Sequence, residues 1–237
     1  MAVAVSIVVP AFNEERRVGA TLERIAAYLG ARDIDWEIVA VDDGSRDTTS
    51  AVIDAASARW PQIRRITLPQ NRGKGAAVRE GMLAAAGELI LFSDADLSTP
   101  IEELAKLEAA LAASPAVGIA IGSRALATSE IEVRQSRGRE LMGKVFNRLV
   151  QAMVLGGIRD TQCGFKLFRR AIARELFGRA KVDGFAFDVE VLWLAQGRTQ
   201  VAEIPVVWRH VDESKVSPGS DAARMFIDLL RIRRLHR

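Results

Sequence analysis

Short runs of β-branched residues alternate with longer amphipathic segments through the first half of this 237-residue chain. The runs are typical of buried β-strands and the segments between them of α-helices. Strands and helices that alternate at this spacing form a mostly parallel sheet with helices on both faces. The pattern therefore predicts an α/β fold. The predicted strands are 5–10, 36–43, 63–69, 88–94 and 117–123, and the predicted helices are 15–29, 47–59, 74–86 and 101–113.

The alternation stops after residue 123, where a polar, arginine-rich segment follows (124–140). The elements predicted beyond it are helices over 139–155 and near 187–196, a strand over 201–208 and a terminal helix. No linker rich in Pro, Gly or Ser and no repeat separates the two halves, so we expect a single domain. We assign residues 1–217 to this domain and residues 218–237 to a basic amphipathic helix.

Composition excludes several classes of protein. The single cysteine, Cys163, excludes an intramolecular disulfide and fits a reducing compartment; we expect a packed thiol. No uncharged apolar run reaches the ~18 residues of a membrane span, and the N-terminus lacks the features of a signal peptide. The basic residues have no interleaved aromatics or known reading motif, so we expect no nucleic-acid partner. We expect a cytoplasmic protein, either soluble or peripheral on a membrane.

The end of the chain is basic and apolar at once. Its last fourteen residues, RMFIDLLRIRRLHR, hold five arginines and one histidine against one aspartate. The apolar residues among them recur at roughly helical spacing. A basic amphipathic helix of this kind suits an anionic membrane surface, and an ordinary surface helix with a charged outer face fits the same pattern. Both interpretations stay open at this point.

Polar residues concentrate where the predicted parallel strands end. In open α/β sheets, ligands bind outside the carboxyl ends of the strands. The segments at those ends carry acidic residues and glycines, and we expect them to lie along one edge of the sheet. They are PAFNEE (10–15), DDGSRD (42–47), PQNRGKG (69–75), DADLSTP (94–100) and GSR (122–124).

Two carboxylates follow the apolar run LILFS with a single residue between them, at Asp94 and Asp96. Carboxylates this close repel each other unless a cation lies between them. Mg²⁺ and Mn²⁺ bind one or two carboxylates together with phosphate oxygens of a substrate. The pair therefore predicts a Mg²⁺ or Mn²⁺ site that holds a diphosphate.

Three other kinds of site begin with a similar acidic segment. An EF-hand loop fails because its sixth and twelfth positions, Thr99 and Ala105, are not Gly and Glu. A phosphatase of the haloacid-dehalogenase type would use Asp94 as a nucleophile, although the acidic motif VDDGS precedes the pair rather than following it. A purely structural interpretation has Asp96 or Ser98 capping the next helix. The last two stay open.

Two further segments carry weaker signals. Asp42 and Asp43 could accept hydrogen bonds from a base N–H or from ribose hydroxyls, although Asp-Asp-Gly-Ser is also ordinary turn chemistry. Lys74 lies between two glycines at a predicted helix N-terminus, which suits an anion. Taken alone, that segment is typical of a structural turn.

The motifs together are more specific than any one of them. In this order, SIVVPAFNEE, VDDGSRDTT, NRGKGAAVREG and DADLSTP resemble the nucleotide-sugar domain of family 2 inverting glycosyltransferases. The resemblance continues through GSRA, IRDTQCGFKLFRR, FAFDVEVLWLA and the SK of VDESKVSP, so it covers about residues 5–217. It implies the GT-A fold, a Rossmann-like single domain. Within the family, RDTQCGFKLF with NRGKGAAVR is most similar to the dolichyl-phosphate β-glucosyltransferases and next to the polyprenyl-phosphate mannose synthases.

The resemblance implies roles at matched positions. The metal would be held by Asp94 and Asp96, and the residues implied in catalysis are these two with Asp188 and Gln162. The nucleotide-diphosphate sugar would contact Pro10, Ala11, Asn13, Glu14, Asp42, Asp43, Lys74, Asp94 and Lys215. The acceptor phosphate would be bound by Arg124 and by one or more of Arg134, Arg137 and Arg139, for which a solvated basic face is the alternative. Ser98 stands where mannose synthases often carry Gln as a further metal ligand, so the third ligand stays open.

The function implied is inverting transfer of a hexose, glucose from UDP-glucose, to a polyprenyl or dolichyl phosphate at the cytoplasmic face of a membrane. A phosphate monoester is largely ionised at pH 7, since its second pKa is about 6, and would attack without a strong base. A GDP-mannose-dependent mannose synthase and a transferase with a soluble hydroxyl acceptor stay open; the latter would need Asp188 as a general base. A binder of nucleotide sugars that does not catalyse is a further alternative, against which the intact acid pair argues.

Overall fold

A computed structural model describes residues 3–133, 150, 157–209 and 220–236. The strands in these ranges are β1 (Val5–Ala11), β2 (Trp36–Asp42), β3 (Ile63–Thr67), β4 (Leu89–Ser93), β5 (Val117–Ser123), β6 (Glu130–Val133), β7 (Phe165–Arg169), β8 (Gln200–Pro205) and β9 (Val207–Arg209). Seven of them form one sheet in the order β3-β2-β1-β4-β7-β5-β8, and β6 pairs with β9 in a two-stranded sheet.

Helices connect the strands on both sides of the sheet. They are α1 (Val18–Gly30), α2 (Thr49–Arg59), α3 (Lys74–Ala84), α4 (Leu104–Ala113), α5 (Arg170–Arg179), α6 (Phe187–Ala195) and α7 (Ser220–Leu235), with a 3-10 turn at Ile101–Glu103 before α4. Within the described ranges, no helix combines the length and the apolar character that crossing a bilayer demands. The helix predicted over 139–155 lies outside the described residues except for Val150, and the division at residue 217 stays a prediction.

The predicted α/β fold with a mostly parallel sheet is confirmed. The pairs β1–β2, β1–β4, β2–β3 and β5–β8 are parallel, and only β7 of this sheet is antiparallel to its described neighbours, β4 and β5. The prediction of a single strand over 201–208 is wrong, because the chain leaves the large sheet at Pro205 and continues as β9 in the small one. Proline has no N–H to donate to a continuing ladder.

Alternate residues of the strands fill two cores, one on each face of the sheet. On β1, Ile7 packs with α1, α2 and α4, while the next residue, Val8, packs with α3, α5, α6 and α7. Both side chains are fully buried, as the two-residue period of a strand requires for a sheet covered on both faces. The terminal helix belongs to the second core through Leu229 and Ile232.

The topology brings the ends of several strands to one edge. The carboxyl ends of β1, β2 and β4 lie together because these strands are parallel. From β1 the chain adds β2 and β3 on one side and then returns to add β4 on the other, so the strand order reverses between β1 and β4, where open α/β sheets bind ligands. Because β7 is antiparallel to β4, its first residue, Phe165, lies at this edge, opposite Ser93.

Candidate active site

A cavity of about 460 Å³ lies at this edge between the ends of β1 and β4. Seven of the residues predicted for the site line it: Pro10, Ala11, Glu14, Asp43, Lys74, Asp94 and Asp96. The other seven lining residues were not among the predicted site residues, namely Phe12, Arg17, Asn71, Gly73, Ala77, Ala95 and Phe185. The acid pair, the loop after β1 and the start of α3 therefore face one space, as their positions at the strand ends predict.

Lys74 provides a positive charge directly at the acid pair. Its Nζ lies 2.6 Å from Oδ1 of Asp94 and 5.3 Å from the centroid of the Phe92 ring, within the range of a cation–π contact. Burial lowers the pKa of Lys74, but the charges of Asp94 and Asp188 outweigh this and raise the pKa above its usual value. Lys74 is therefore cationic and pairs with Asp94.

The turn after β4 is strained in a way that orients Asp96. Oδ1 of Asp96 accepts a hydrogen bond from the backbone N–H of Ser98 at 2.9 Å, and the backbone N–H of Leu97 donates to the carbonyl of Asp94 at 3.2 Å. Leu97 has φ +46°, which is rare for a residue with a bulky side chain. The interpretation of Asp96 or Ser98 as a helix cap is wrong, since the residue before the 3-10 turn is Pro100 and no side chain caps it.

The two carboxylates fit a divalent cation. Burial, and then the charge of Asp94, raise the pKa of Asp96, so the ionised pair needs further positive charge. Among the described residues, no group of three His, Cys, Asp or Glu side chains is arranged to hold a metal ion. Mg²⁺ and Mn²⁺ commonly take one or two carboxylates and fill their other positions with substrate phosphate oxygens and water. The donor set fits a cation that binds together with a diphosphate, and the third ligand stays open.

Gly164 lets β7 support the acid pair closely. The backbone N–H of Asp94 donates to the carbonyl of Gly164 at 3.1 Å, and a Cβ at position 164 would overlap the Asp94 carboxylate. The neighbouring thiol of Cys163 is 1% exposed; burial, with the charge of Asp160, raises its pKa to about 11. The prediction that Cys163 is a packed thiol is confirmed.

Asp43 fixes the loop that leads into α3. Its carboxylate accepts hydrogen bonds from Asn71 Nδ2 at 2.9 Å and from the backbone N–H groups of Arg72 and Gly73, both at 2.8 Å. Burial nonetheless raises the pKa of Asp43. Because Gly73 immediately precedes Lys74, this carboxylate also determines where the lysine enters the cavity.

Asp42 and Asn13 hold the neighbouring loops together and are not among the lining residues. Asp42 is 1% exposed and accepts hydrogen bonds from the backbone N–H of Ser45 at 2.9 Å and from the Ser50 hydroxyl. Asn13 has φ +53°, and its Oδ1 accepts a hydrogen bond from the backbone N–H of Arg46 at 2.8 Å. A contact of either residue with the nucleotide stays a prediction.

Asp188 lies in a buried ion pair behind the cavity. Its Oδ1 is 2.5 Å from Nζ of Lys166, which also donates to the carbonyl of Cys163 at 2.6 Å. The exposed fractions are 4% for Asp188 and 2% for Lys166. Burial raises the pKa of Asp188, and the charge of Lys166 offsets this only in part. In this geometry the carboxylate of Asp188 neutralises the charge of Lys166. The catalytic role implied for Asp188 stays a prediction.

A second ion pair joins the partly exposed Arg124 to the buried Asp160. Nε and Nη2 of Arg124 lie 2.7 and 2.8 Å from the two Asp160 oxygens, and its guanidinium carbon is 5.5 Å from the Trp208 ring centroid. Burial raises the pKa of Asp160, but Arg124 outweighs this and lowers it to about 2. The backbone N–H of Gln162 donates to the same carboxylate at 3.3 Å. The acceptor role of Arg124 and the catalytic role of Gln162 stay predictions.

The remaining predicted residues, Arg134, Arg137, Arg139 and Lys215, lie outside the described residues. Arg17 could have been predicted from the sequence, because it follows the predicted site residue Glu14 by three positions. In the structure its Nη2 donates a hydrogen bond to Oε1 of Glu14 at 2.8 Å. Asn71 belongs to a strand-end segment that was singled out as a whole. Phe185 is the first residue of FAFDVEVLWLA, a segment that carries the family resemblance, although the resemblance implies no role for it.

Comparison with known proteins places the chain in one family. The model of the family described as "Glycosyl transferase family 2" matches residues 6–177. Dolichyl-phosphate β-glucosyltransferase from Homo sapiens is 40% identical over 240 residues, which cover 96% of this chain and 74% of the human protein. The enzyme of the same description from Saccharomyces cerevisiae is 38% identical over 250 residues, covering 96% of this chain and 73% of the yeast protein.

Solved structures share the fold at lower identity. Glucosyl-3-phosphoglycerate synthase from Mycobacterium tuberculosis, in complex with Mn²⁺, UDP and glucosyl-3-phosphoglycerate, superposes with a TM-score of 0.72 at 20% identity, over 97% of this chain and 79% of that one. Mannosyl-3-phosphoglycerate synthase from Rubrobacter xylanophilus gives a TM-score of 0.72 at 19% identity, over 98% of this chain and 74% of that one. At this identity the likeness concerns the fold alone.

Proposed function

The chain belongs to glycosyl transferase family 2 and is a glycosyltransferase, and from this premise we propose that it transfers glucose from UDP-glucose to dolichyl phosphate or a related polyprenyl phosphate. The observation that carries the proposal is the 40% identity with the human dolichyl-phosphate β-glucosyltransferase over 96% of this chain. Because this similarity covers nearly the whole chain, it includes the segments after β5 as well as the strands β1 to β4 that surround the cavity.

We place the nucleotide-diphosphate sugar in the cavity between β1 and β4. Its volume of about 460 Å³ lies in the range of pockets that bind small molecules. Lys74 adds a positive charge for the diphosphate, and Asp43 and Asn71 present polar side chains to the same space. The end of β1 and the loop after it also line the cavity, through Pro10, Ala11, Phe12 and Glu14.

We propose that Asp94 and Asp96 hold Mg²⁺ or Mn²⁺. The fit of the two carboxylates supports this, as does a structural neighbour whose complex contains Mn²⁺ and UDP. When bound, such an ion stabilises the negative charge of the departing diphosphate. Lys74, whose Nζ is 2.6 Å from Asp94, contributes a fixed positive charge at the same place, where it needs no rearrangement during the reaction.

The proposed reaction is a single displacement. An oxygen of the acceptor phosphate forms a bond to the anomeric carbon, the bond from that carbon to the diphosphate breaks, and UDP leaves with the electron pair. The α-linked donor therefore gives a β-linked lipid phosphate. The attacking phosphate is already largely ionised at pH 7, so no side chain has to accept a proton. A hydroxyl acceptor would require a base, and the ion pair of Asp188 with Lys166 argues against Asp188 in that role.

We further propose that the protein works as a peripheral protein on the cytoplasmic face of a membrane. The acceptor is a lipid whose phosphate lies at the bilayer surface. The buried, unpaired Cys163 fits a reducing compartment.

A donor panel tests the function. The purified chain is incubated with Mn²⁺, a short polyprenyl phosphate in detergent, and UDP-glucose, GDP-mannose or UDP-glucuronate in turn. We expect turnover with UDP-glucose and a β-linked glucosyl lipid phosphate as product, with Asp94→Asn as the inactive control. Turnover with GDP-mannose alone would contradict the donor, transfer only to sugar hydroxyls would contradict the acceptor, and release of phosphate from simple esters would favour the phosphatase alternative.

A further inference from the structure

The outward face of α7 is apolar and exposed. Phe226, Ile227 and Leu230 have 41%, 45% and 48% of their surface exposed. At about 100° per residue they lie within about a third of the circumference of the helix. Elsewhere among the described residues, Ile131 is the one large hydrophobic side chain exposed to a similar degree. The three residues therefore form a concentrated apolar patch, which we call the α7 face.

Positive charge surrounds this patch. Arg231, Arg233 and Arg234 are exposed on the same helix. None of them forms an ion pair with another residue that the structure describes. Apolar side chains with basic residues beside them are the composition by which an interfacial helix binds an anionic bilayer.

The opposite side of α7 is fixed to the protein. Leu229 and Ile232 are fully buried in the core. At the end of the helix, Lys181 Nζ donates to the carbonyl of Leu235 at 2.8 Å, and the His236 ring lies 2.6 Å from Glu190. The helix therefore cannot rotate to bury the α7 face without breaking these contacts.

The same contacts place α7 against the wall of the cavity. Glu190 accepts hydrogen bonds from the backbone N–H groups of Lys181 and Val182, which begin the segment leading to the lining residue Phe185. An Asp228 oxygen lies 3.5 Å from the position of a Cβ on Gly184. The α7 face is thus about one helix diameter, about 10 Å, from the cavity wall.

We propose that the α7 face docks onto an anionic lipid bilayer, with its apolar side chains in the headgroup region and its arginines on lipid phosphates. The proposal rests on the proposed function, because a lipid-linked acceptor requires the cavity to be held at a bilayer surface. A second copy of the chain fits this face less well. A symmetric interface would bring the arginines of both copies together, and Asp228, the acid near Arg231 on the same helix, would offset their charge only in part.

Vesicle sedimentation tests the docking surface. The full chain is mixed with vesicles of phosphatidylcholine, with and without phosphatidylglycerol. We expect strong sedimentation only with the anionic vesicles. The triple variant R231Q/R233Q/R234Q should bind them on the order of 100-fold more weakly, at about fivefold per charge near the surface. The triple variant F226S/I227S/L230S should also lose most of its binding.

Matched controls exist elsewhere on the surface. Ile131→Ser removes an equally exposed apolar side chain, and R24Q/R59Q removes exposed arginines on the other face of the sheet; both should bind vesicles like the wild type. All the changed side chains are exposed, so thermal unfolding should be similar in every variant. The proposal would be overturned if the control variants lost as much vesicle binding as the α7 variants, or if the wild-type chain did not bind anionic vesicles.

Two further measurements separate this proposal from its alternatives. In detergent, with a short polyprenyl phosphate, the α7 variants should transfer glucose as the wild type does. A wild type that sediments with vesicles but transfers nothing in detergent would refute the proposed function and leave the docking surface standing. A dimer in analytical ultracentrifugation that F226S/I227S/L230S abolishes would instead make the face a contact between copies. If the α7 face bound another protein and did not bind vesicles, the proposal of a lipid bilayer as its partner would also be refuted.

Discussion

The negative charge of Asp96 lowers the stability of the folded protein. Burial and the charge of Asp94 raise its pKa above the usual value, so the ionised form is less favourable in the folded chain than in the unfolded one. For an acid whose folded pKa is raised, stability falls as the pH rises past the unfolded pKa. Asp96 therefore weakens the fold at neutral pH, which is expected of a residue kept for function.

We predict that Asp96→Asn lowers transfer on the order of 100- to 1,000-fold, because a carboxylate metal ligand is worth several kcal/mol to the transition state. At pH 7 the free energy of unfolding should stay the same or rise, since asparagine keeps the acceptor for the Ser98 N–H without the charge. Activity assays and urea unfolding measure the two effects. Asp54→Asn, at an exposed acid paired with Arg65, should change neither, and wild-type transfer by Asp96→Asn would refute the metal site.

Asp160 shows the opposite behaviour. Its pKa in the folded chain is about 2, below that of an unfolded aspartate, so its contribution to stability is present above pH 4 and is lost as the pH falls from about 4 to 2. We predict that Asp160→Asn destabilises the protein at pH 7 by about 2 kcal/mol, because the lowered pKa of Asp160 reports a favourable ion pair that the variant loses.

The measurement is denaturant unfolding of Asp160→Asn and wild type at pH 7 and at progressively lower pH. The difference between them should shrink below pH 4. A difference that stays constant down to pH 2 would show that the Arg124–Asp160 pair is not the cause.

At the residue scale, the sequence predicts which positions reach the site but not which way each side chain points. Asp42 and Asp43 are adjacent at the end of β2, where consecutive side chains point to opposite sides. Asp43 consequently lines the cavity, whereas Asp42 faces the turn and Ser50. Phe185 reaches the cavity from a loop far along the chain; its segment, FAFDVEVLWLA, could be recognised in the sequence, but its place in the cavity depends on tertiary packing.

At the scale of elements, β7 is the strand on which the acid pair depends. Its antiparallel pairing with β4 sets Ser93 opposite Phe165 and brings Gly164 against the Asp94 carboxylate. Any side chain at position 164 has to displace that carboxylate or the strand itself.

We predict that Gly164→Ala reduces transfer at least about tenfold and weakens Mn²⁺ binding in the presence of UDP, because a misplaced catalytic group of this kind costs one or two orders of magnitude. Activity and electron paramagnetic resonance of Mn²⁺ measure the change. Gly178→Ala is the matched control, since its Cβ would meet nothing within 4 Å and helical alanine is favoured over glycine by about 0.5–1 kcal/mol. Equal activity in the two variants would refute the role of Gly164.

Neither β7 nor α5 was predicted from the sequence, and for β7 the reason is Lys166. A lysine in the middle of FKLFR breaks the apolar run that marks a central strand, although the structure holds it 2% exposed. Its charge is compensated by Asp188, which lies 22 positions later in the chain. The signal for this strand is therefore a long-range ion pair, whereas β1 to β5 are recognisable from local alternation alone.

At the scale of the whole molecule, the sheet divides the core into two layers. The fold class could be predicted because each βα unit is recognisable from its local sequence pattern. The right-handed connection of parallel strands then leaves few possible orders of the strands in the sheet. The placement of α7 could not be predicted in the same way. Its amphipathic pattern fits both a membrane and a core, and the structure gives it one face for each, with Leu229 and Ile232 buried and Leu230 exposed.

The ammonium group of Lys74 resting on Asp94 has a practical consequence for handling the protein. Because the acid pair keeps a cation of its own, stripping divalent ions with a chelator should stop turnover while shifting the melting temperature by less than about 2 °C, unlike proteins in which the metal is structural. Calorimetry before and after dialysis checks this, and a collapse of the melting temperature on chelation would contradict it. The enzyme could then be stored metal-free and reloaded with whichever ion an experiment requires.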